Sequence, residues 1–206
     1  MSDTTSMDMS LNESSDGVDM TRPATVLSRE HVYQGAIFGV EDMRIALQTR
    51  DGGQTVIRRQ VMRHAPCVVM LVHDCAQDLY LVEREYRVGC DAFAYGLPAG
   101  LIDDGEDVDA AALRELREET GAVAGELIPL GRFYPTCAYS TEVIQMFLAR
   151  GLSFGERELD EDEFLNVFRL PLRELVEKVL NGEIPDAKTQ AAALRVWCML
   201  QEGKLS

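Results

Sequence analysis

GLIDDGEDVDAAALRELREETGA, residues 100–122, decides how the rest of the chain is read. Its first part is an acidic loop, with five acids and no base over residues 101–109. Its second part predicts a helix from about Val108 to Thr120, stopped by Gly121, a residue suited to the left-handed position after a helix. At about 100° per residue, Glu115, Glu118 and Glu119 fall within an arc of about 100°. One face therefore presents three carboxylates, while Leu113 and Leu116 point round the other side toward a core. Like charges at these spacings repel by a few tenths of a kcal/mol per pair, and near a helix C-terminus they also oppose the macrodipole. The face is either a solvated acidic surface or a cation site. A hard divalent ion removes the conflict, because Mg²⁺ takes carboxylate oxygens and retains waters for a phosphate-bearing ligand. Glu106, on the loop before the helix, is placed to add a ligand or orient one, and Arg114 to hold a carboxylate.

Outward from this segment, strands are predicted at about 32–40, 43–49, 54–62, 67–73 and 78–84 before the helix, and at about 126–133, 142–150 and 164–168 after it. Two helices close the chain near 171–181 and 187–202, separated by NGEIPD. The order β-rich, helix, β-rich, helices predicts an α+β or mixed α/β sandwich rather than a regular βαβ array. Residues 1–28 carry five acids, one Arg and no aromatic residue. Their apolar residues are too sparse to offset ordering entropy, so a disordered acidic tail is predicted there, with the folded domain over 29–206.

The 206 residues suit one ordinary domain with an appended arm, and 46% hydrophobic content is enough for a core. The longest apolar run, Ala65 to Val72, is far short of the roughly 18–20 residues of a membrane span, and the acidic N-terminus does not read as a secretory signal. The formal charge of −15 excludes a nucleic-acid backbone or an anionic membrane as the main partner. Much of that charge sits in 101–109 and in ERELDEDE (156–163), the latter with six acids against one Arg. Five scattered cysteines without a CxxC pair make structural zinc and a disulfide framework poor readings, and a reducing cytoplasm is the default compartment.

The full pattern resembles the Nudix box, GX5EX7REUXEEXGU with U a bulky aliphatic. Gly100, Glu106, Arg114, Glu115, Glu118, Glu119 and Gly121 stand at its fixed positions, with Leu116 as the first U and Ala122 a mild departure at the last. The resemblance implies the Nudix fold, a mixed β-sheet sandwiched between helices, here with an antiparallel β extension over 29–62. It also implies hydrolysis of a nucleoside diphosphate linked to another moiety, with Mg²⁺ or Mn²⁺ as the metal. Glu115, Glu118 and Glu119 would be metal ligands, joined by the carbonyl of Ala99.

Features outside the box resemble the ADP-ribose pyrophosphatase branch: LPAG (97–100), EYR (85–87), Pro135 and GEIPDAKTQAAAL (182–194). Gly96 departs from it, since Glu commonly stands there. The branch implies ADP-ribose as substrate, cleaved to AMP and ribose 5-phosphate, and a homodimer shaped by the N-terminal strands. Arg87 at a strand end suits bidentate contact with phosphate oxygens. Pro135 and Phe38 are candidate substrate contacts, Phe38 (like Tyr33) as a surface on which adenine stacks. Arg114 and Glu118 are candidate catalytic residues. Glu163 is the candidate general base, with Glu161 and Asp162 as neighbours that share its loop. Asp186 and Lys188 read as an N-cap and a solvated charge on the last helix. Two other readings stay open: a Nudix hydrolase of another nucleotide sugar or dinucleotide, and a non-catalytic ADP-ribose sensor.

Overall fold

Cys67 to Val72 is apolar at every position, the pattern of a strand covered on both faces. In the computed structural model, which describes residues 17–159 and 164–205, this run is the centre of the sheet that carries the site. The chain forms two compact units, the first ending at Val61 and the second starting at Met62.

The first unit is built on a three-stranded sheet in the order β1 (Thr25–Gln34), β2 (Phe38–Gln48), β3 (Gln54–His64), the last strand running on into the second unit from Met62. Strands β1 and β2 are antiparallel and joined by a tight turn in which Gly35 N–H donates to the Phe38 carbonyl at 2.9 Å. The strands predicted at 32–40 and 43–49 are thus displaced, because Gly35–Ile37 is a turn inside a stretch whose Val, Tyr, Ile and Phe content suggests one continuous strand. Strand β1 begins at Thr25, and Val18 bridges to Thr49, so ordered structure starts before residue 29. Composition misses this because β1 is exposed at every position and is held by its main-chain ladder rather than by a core. Residues 1–16 lie outside the described part of the chain.

The second unit is the α+β sandwich. Its sheet runs β10 (Leu165–Leu170), β5 (Leu79–Arg87), β4 (Cys67–Asp74), β9 (Ile144–Phe154), β8 (Ala122–Phe133). Two short strands, β6 (Ala92–Gly96) and β7 (Ala99–Leu101), pair with β5 and β4. The β4–β9 pair is parallel and the others are antiparallel, which makes the sheet mixed. Alternate residues of β4 feed two different cores, as a period of two requires. Cys67, Val69 and Leu71 pack with Leu175, Val176 and Val196 of helices α2 (Leu172–Leu180) and α3 (Ala187–Gln201). Val68, Met70 and Val72 pack with Ala111, Ala112 and Leu116 of α1 (Val108–Thr120). The sheet is sandwiched between helices, and no described helix is long and apolar enough to cross a membrane.

Helix α1 is fixed at both ends. The Asp107 carboxylate accepts from the N–H groups of Asp109 and Ala110 at 3.0 and 3.2 Å. At the other end Gly121 takes φ 71°, and its N–H donates to Arg117 O at 2.8 Å. A Cβ on Gly121 would lie 2.6 Å from the Gly155 carbonyl oxygen, so conformation and space both require glycine. Leu113, expected in the core, is 37% exposed; the buried face consists of Ala111, Ala112 and Leu116. Small alanines let the helix lie close on the sheet, which a stripe of leucines would not. Replacing Asp107→Ala removes the cap and is expected to lower stability by about 1 kcal/mol, read as a lower urea midpoint at unchanged slope.

Candidate active site

Strand β7 is only three residues long, yet it positions the glutamates. Its pairing with β4 sets Ala99 opposite Val69 and Gly100 opposite Val68, directly beside the helix that covers this face of the sheet. The Ala99 N–H donates to Glu119 Oε2 at 2.9 Å, and Glu119 is 4% exposed. A Cβ on Gly100 would come 2.0 Å from the Glu115 carboxyl carbon, so the carboxylate occupies the space that any other residue would fill. The first glycine of the motif is therefore a steric requirement of Glu115, the first of the three helix glutamates.

Arg114 ties this cluster together. Its Nε and Nη2 donate to the two oxygens of Glu106, each at 2.9 Å, as a bidentate pair. Its Nη1 donates to Glu115 Oε1 at 2.8 Å and Glu118 Oε2 at 3.1 Å, and Nη2 also donates to the Leu101 carbonyl at 3.0 Å. Glu106 receives a further bond from Asp103 N–H at 3.0 Å. The Arg114 hydrogen bonds and that amide hold the Glu106 carboxyl down at about 2, and Glu106 in turn leads the contacts that raise the Arg114 guanidinium above its ordinary value. Glu106 therefore orients Arg114, and Arg114 orients Glu115 and Glu118.

Glu115, Glu118, Arg114 and Asp103 line a cavity of about 460 Å³ with Ala99, Gly100, Leu101 and Glu158. Glu158 reaches it because its N–H donates to the Glu118 carbonyl at 3.1 Å, and its side chain pairs with Arg117 at 3.2 Å. Three carboxylates (Glu106, Glu115, Glu118) bond one guanidinium, and a fourth, Glu119, takes the Ala99 amide. A concentration of hard oxygen donors with excess negative charge fits Mg²⁺ or Mn²⁺.

On the other side of Ala99–Leu101 lies a second cleft, about 200 Å³, lined by Arg87, Lys188, Glu142 and Cys67. The two cavities share Ala99, Gly100 and Leu101 as a common wall. Arg87 is thus brought to the site, with Nη2 2.9 Å from Glu85 Oε2. Lys188 is brought there too, whereas the sequence predicts a solvated charge; its Nζ sits 2.8 Å from Asp186 Oδ1. Asp186 caps α3 as predicted, accepting from Thr189 N–H at 2.9 Å. Burial pushes the Asp186 carboxyl up, but the Lys188 charge and the bonds from Lys188 and Thr189 hold it below its ordinary value. Only the D-x-K-T segment could have signalled Lys188 in advance. Glu142 had no signal, since the β4–β9 pairing delivers it from a remote loop.

Pro135 is an exposed turn residue and lines neither cavity. Phe38 belongs to the first unit, its ring 6.1 Å from that of Tyr33. Ala99 meets the cluster through its N–H, where the resemblance implies its carbonyl. Glu161, Asp162 and Glu163 lie outside the described residues. Burial, with Glu142 adding to it, pushes the Cys67 thiol up to about 12, so it is no nucleophile.

The family model of the NUDIX domain matches residues 63–193. An ADP-ribose pyrophosphatase of Bacillus subtilis (strain 168) is 31% identical over 170 residues, spanning 81% of this chain and 88% of that protein. The ADP compounds hydrolase NudE of Escherichia coli (strain K12) is 30% identical over 172 residues, spanning 84% and 90%. A GDP-mannose pyrophosphatase of Salmonella paratyphi B (strain ATCC BAA-1250 / SPB7) is 26% identical, spanning 79% and 90%. A crystal structure of an ADP compounds hydrolase superposes with a TM-score of 0.73 at 28% identity, covering 89% of this chain and 98% of that one. With the glutamate helix, its arginine clamp and its glycine seat in place, the chain belongs to the Nudix family, in the branch of the ADP-ribose pyrophosphatases, and is a Nudix pyrophosphohydrolase.

Proposed function

We propose that the protein hydrolyses the diphosphate of ADP-ribose, releasing AMP and ribose 5-phosphate. The observation that carries this reading is the shared wall Ala99–Leu101, with clamped carboxylates on one side and two cations, Arg87 and Lys188, on the other. A diphosphate carries about two negative charges and needs both sides, since a carboxylate cluster alone repels it. Glu115, Glu118 and Glu119, with Ala99, would hold Mg²⁺ or Mn²⁺; such an ion, when bound, neutralises phosphate oxygens and acidifies the attacking water. Arg114 keeps Glu115 and Glu118 at fixed positions, which removes reorganisation from the reaction. Arg87 and Lys188 take the remaining phosphate oxygens. Glu163 accepts the proton of the attacking water; support for this is that the chain leading to it touches the cavity rim at Glu158. Pro135 and Phe38 are the further proposed substrate contacts, Phe38 as a ring on which adenine stacks.

The first unit supports a homodimer reading. Its edge strand β1 leaves Leu27, Val32 and Tyr33 exposed, and Ile37 follows in the turn. Light scattering is expected to give the mass of two chains, and the mass of one would remove this part of the proposal. The described cysteines are free thiols, in keeping with a reducing, cytoplasmic compartment.

A second substrate class is favoured by the relatives, which include an ADP compounds hydrolase and a GDP-mannose pyrophosphatase. Incubation with ADP-ribose and Mg²⁺ in ¹⁸O-labelled water, beside a panel of ADP- and GDP-sugars, separates the two. AMP and ribose 5-phosphate formed only with metal support ADP-ribose, and the labelled product identifies the phosphorus attacked; turnover confined to another sugar sinks it. Glu118→Gln is expected to lose activity by at least on the order of 100-fold, since even outer-shell changes at metal sites cost about 10–100-fold. Parent-like turnover by that variant would sink the metal assignment. Gly100→Ala is expected to abolish turnover while leaving the circular dichroism spectrum unchanged, because the added methyl displaces the Glu115 carboxylate. Arg114→Lys, with three donors in place of five, is expected to raise the Mg²⁺ concentration needed for half-maximal rate by roughly 10–100-fold.

A further inference from the structure

We propose that His64, Cys67 and Glu142 form a second metal site, selective for a borderline divalent ion of the Zn²⁺ class and distinct from the carboxylate cluster. One ligand atom from each residue lies within 4.8 Å of the others. Cys67 Sγ is 3.6 Å from Glu142 Oε1. The Ala65 carbonyl oxygen stands in the same knot, 2.7 Å from His64 Nδ1 and 3.8 Å from Cys67 Sγ, and offers a fourth donor.

The scaffold beneath these groups is rigid. Met62 N–H donates to the Tyr139 carbonyl at 2.7 Å, and Thr141 N–H to the Met62 carbonyl at 2.9 Å. His64 N–H donates to Thr141 Oγ1 at 3.0 Å, and Cys67 N–H to the Val143 carbonyl at 2.9 Å. Four bonds thus lock the segment carrying His64 and Cys67 to the segment carrying Glu142. Preorganised ligands lose little freedom when an ion arrives.

The donor chemistry sets the ion. A thiolate, an imidazole nitrogen and a carboxylate suit Zn²⁺ or Co²⁺, whereas Mg²⁺ rejects sulfur. Binding releases the thiol proton to solvent. The cationic neighbours of the site are Lys188, 2.8 Å from Asp186, and Arg87, 2.9 Å from Glu85, each with a carboxylate beside it. Cys67 and Glu142 also line the Arg87–Lys188 cleft, which gives an ion a way in.

Co²⁺ titration of the metal-free full chain tests the site without any turnover. The parent is expected to show a sulfur-to-cobalt charge-transfer band in the near ultraviolet, removed by excess Zn²⁺ and not by excess Mg²⁺. Cys67→Ser and His64→Gln are each expected to lose it. Cys75→Ser and Glu118→Gln are expected to keep it, which separates this site from the other His–Cys neighbours (His73 and Cys75) and from the carboxylate cluster. His64→Gln also decides the matter if Cys67→Ser fails to fold. No sulfur band in the parent, or a band that survives in Cys67→Ser or His64→Gln, overturns the proposal.

Discussion

A single guanidinium uses every one of its N–H donors inside the site. Arg114 supplies two to Glu106, one each to Glu115 and Glu118, and one to the Leu101 carbonyl. Three chain segments that would otherwise repel or drift are held by this planar fork: the acidic loop, the helix face and strand β7. Lysine cannot substitute, because a point charge on a flexible stem fixes neither direction nor number of bonds. The rest of the site follows from that constraint. Glycine at position 100 makes room for the oriented Glu115, and the Ala99 amide receives the buried Glu119.

The sheet supplies the rigidity on which the clamp relies. Strand β4 is buried on both faces, and its alternate side chains belong to separate cores. A shift of one residue in its register would exchange those two sets and move β7 away from α1. The same strand pairs in parallel with β9, so the loop before β9 arrives next to Cys67. Residues far apart in sequence meet at the second cleft for this topological reason.

Legibility in the sequence followed the locality of the signal. The carboxylate face was readable because helical spacing places Glu115, Glu118 and Glu119 by arithmetic, and the stop at Gly121 is local chemistry. Strands β6 and β7 were not readable: at five and three residues they are too short for periodicity, and Gly96, Pro98 and Gly100 look like loop. Their pairing is set by β5 and β4, which no local window contains. Glu142 escaped for the same reason, and Lys188 looked solvated until the fold set it over Asp186. In the first unit, Val, Tyr, Ile and Phe on both sides of Gly35–Ile37 read as one strand and hid the turn, so the strands there were misplaced.

The wall of three residues between the two cavities has an evolutionary consequence. In the proposed scheme the metal-holding carboxylates belong to α1 and its clamp, while the cations offered to the phosphate oxygens come from β5 and the start of α3. Among the described residues, the two cavities share Ala99, Gly100 and Leu101 as lining. Residues around the second cleft, apart from its phosphate-facing cations, can therefore change without displacing the carboxylates. A lineage built on this plan is free to exchange one leaving group for another while its hydrolytic half stays under unchanged selection.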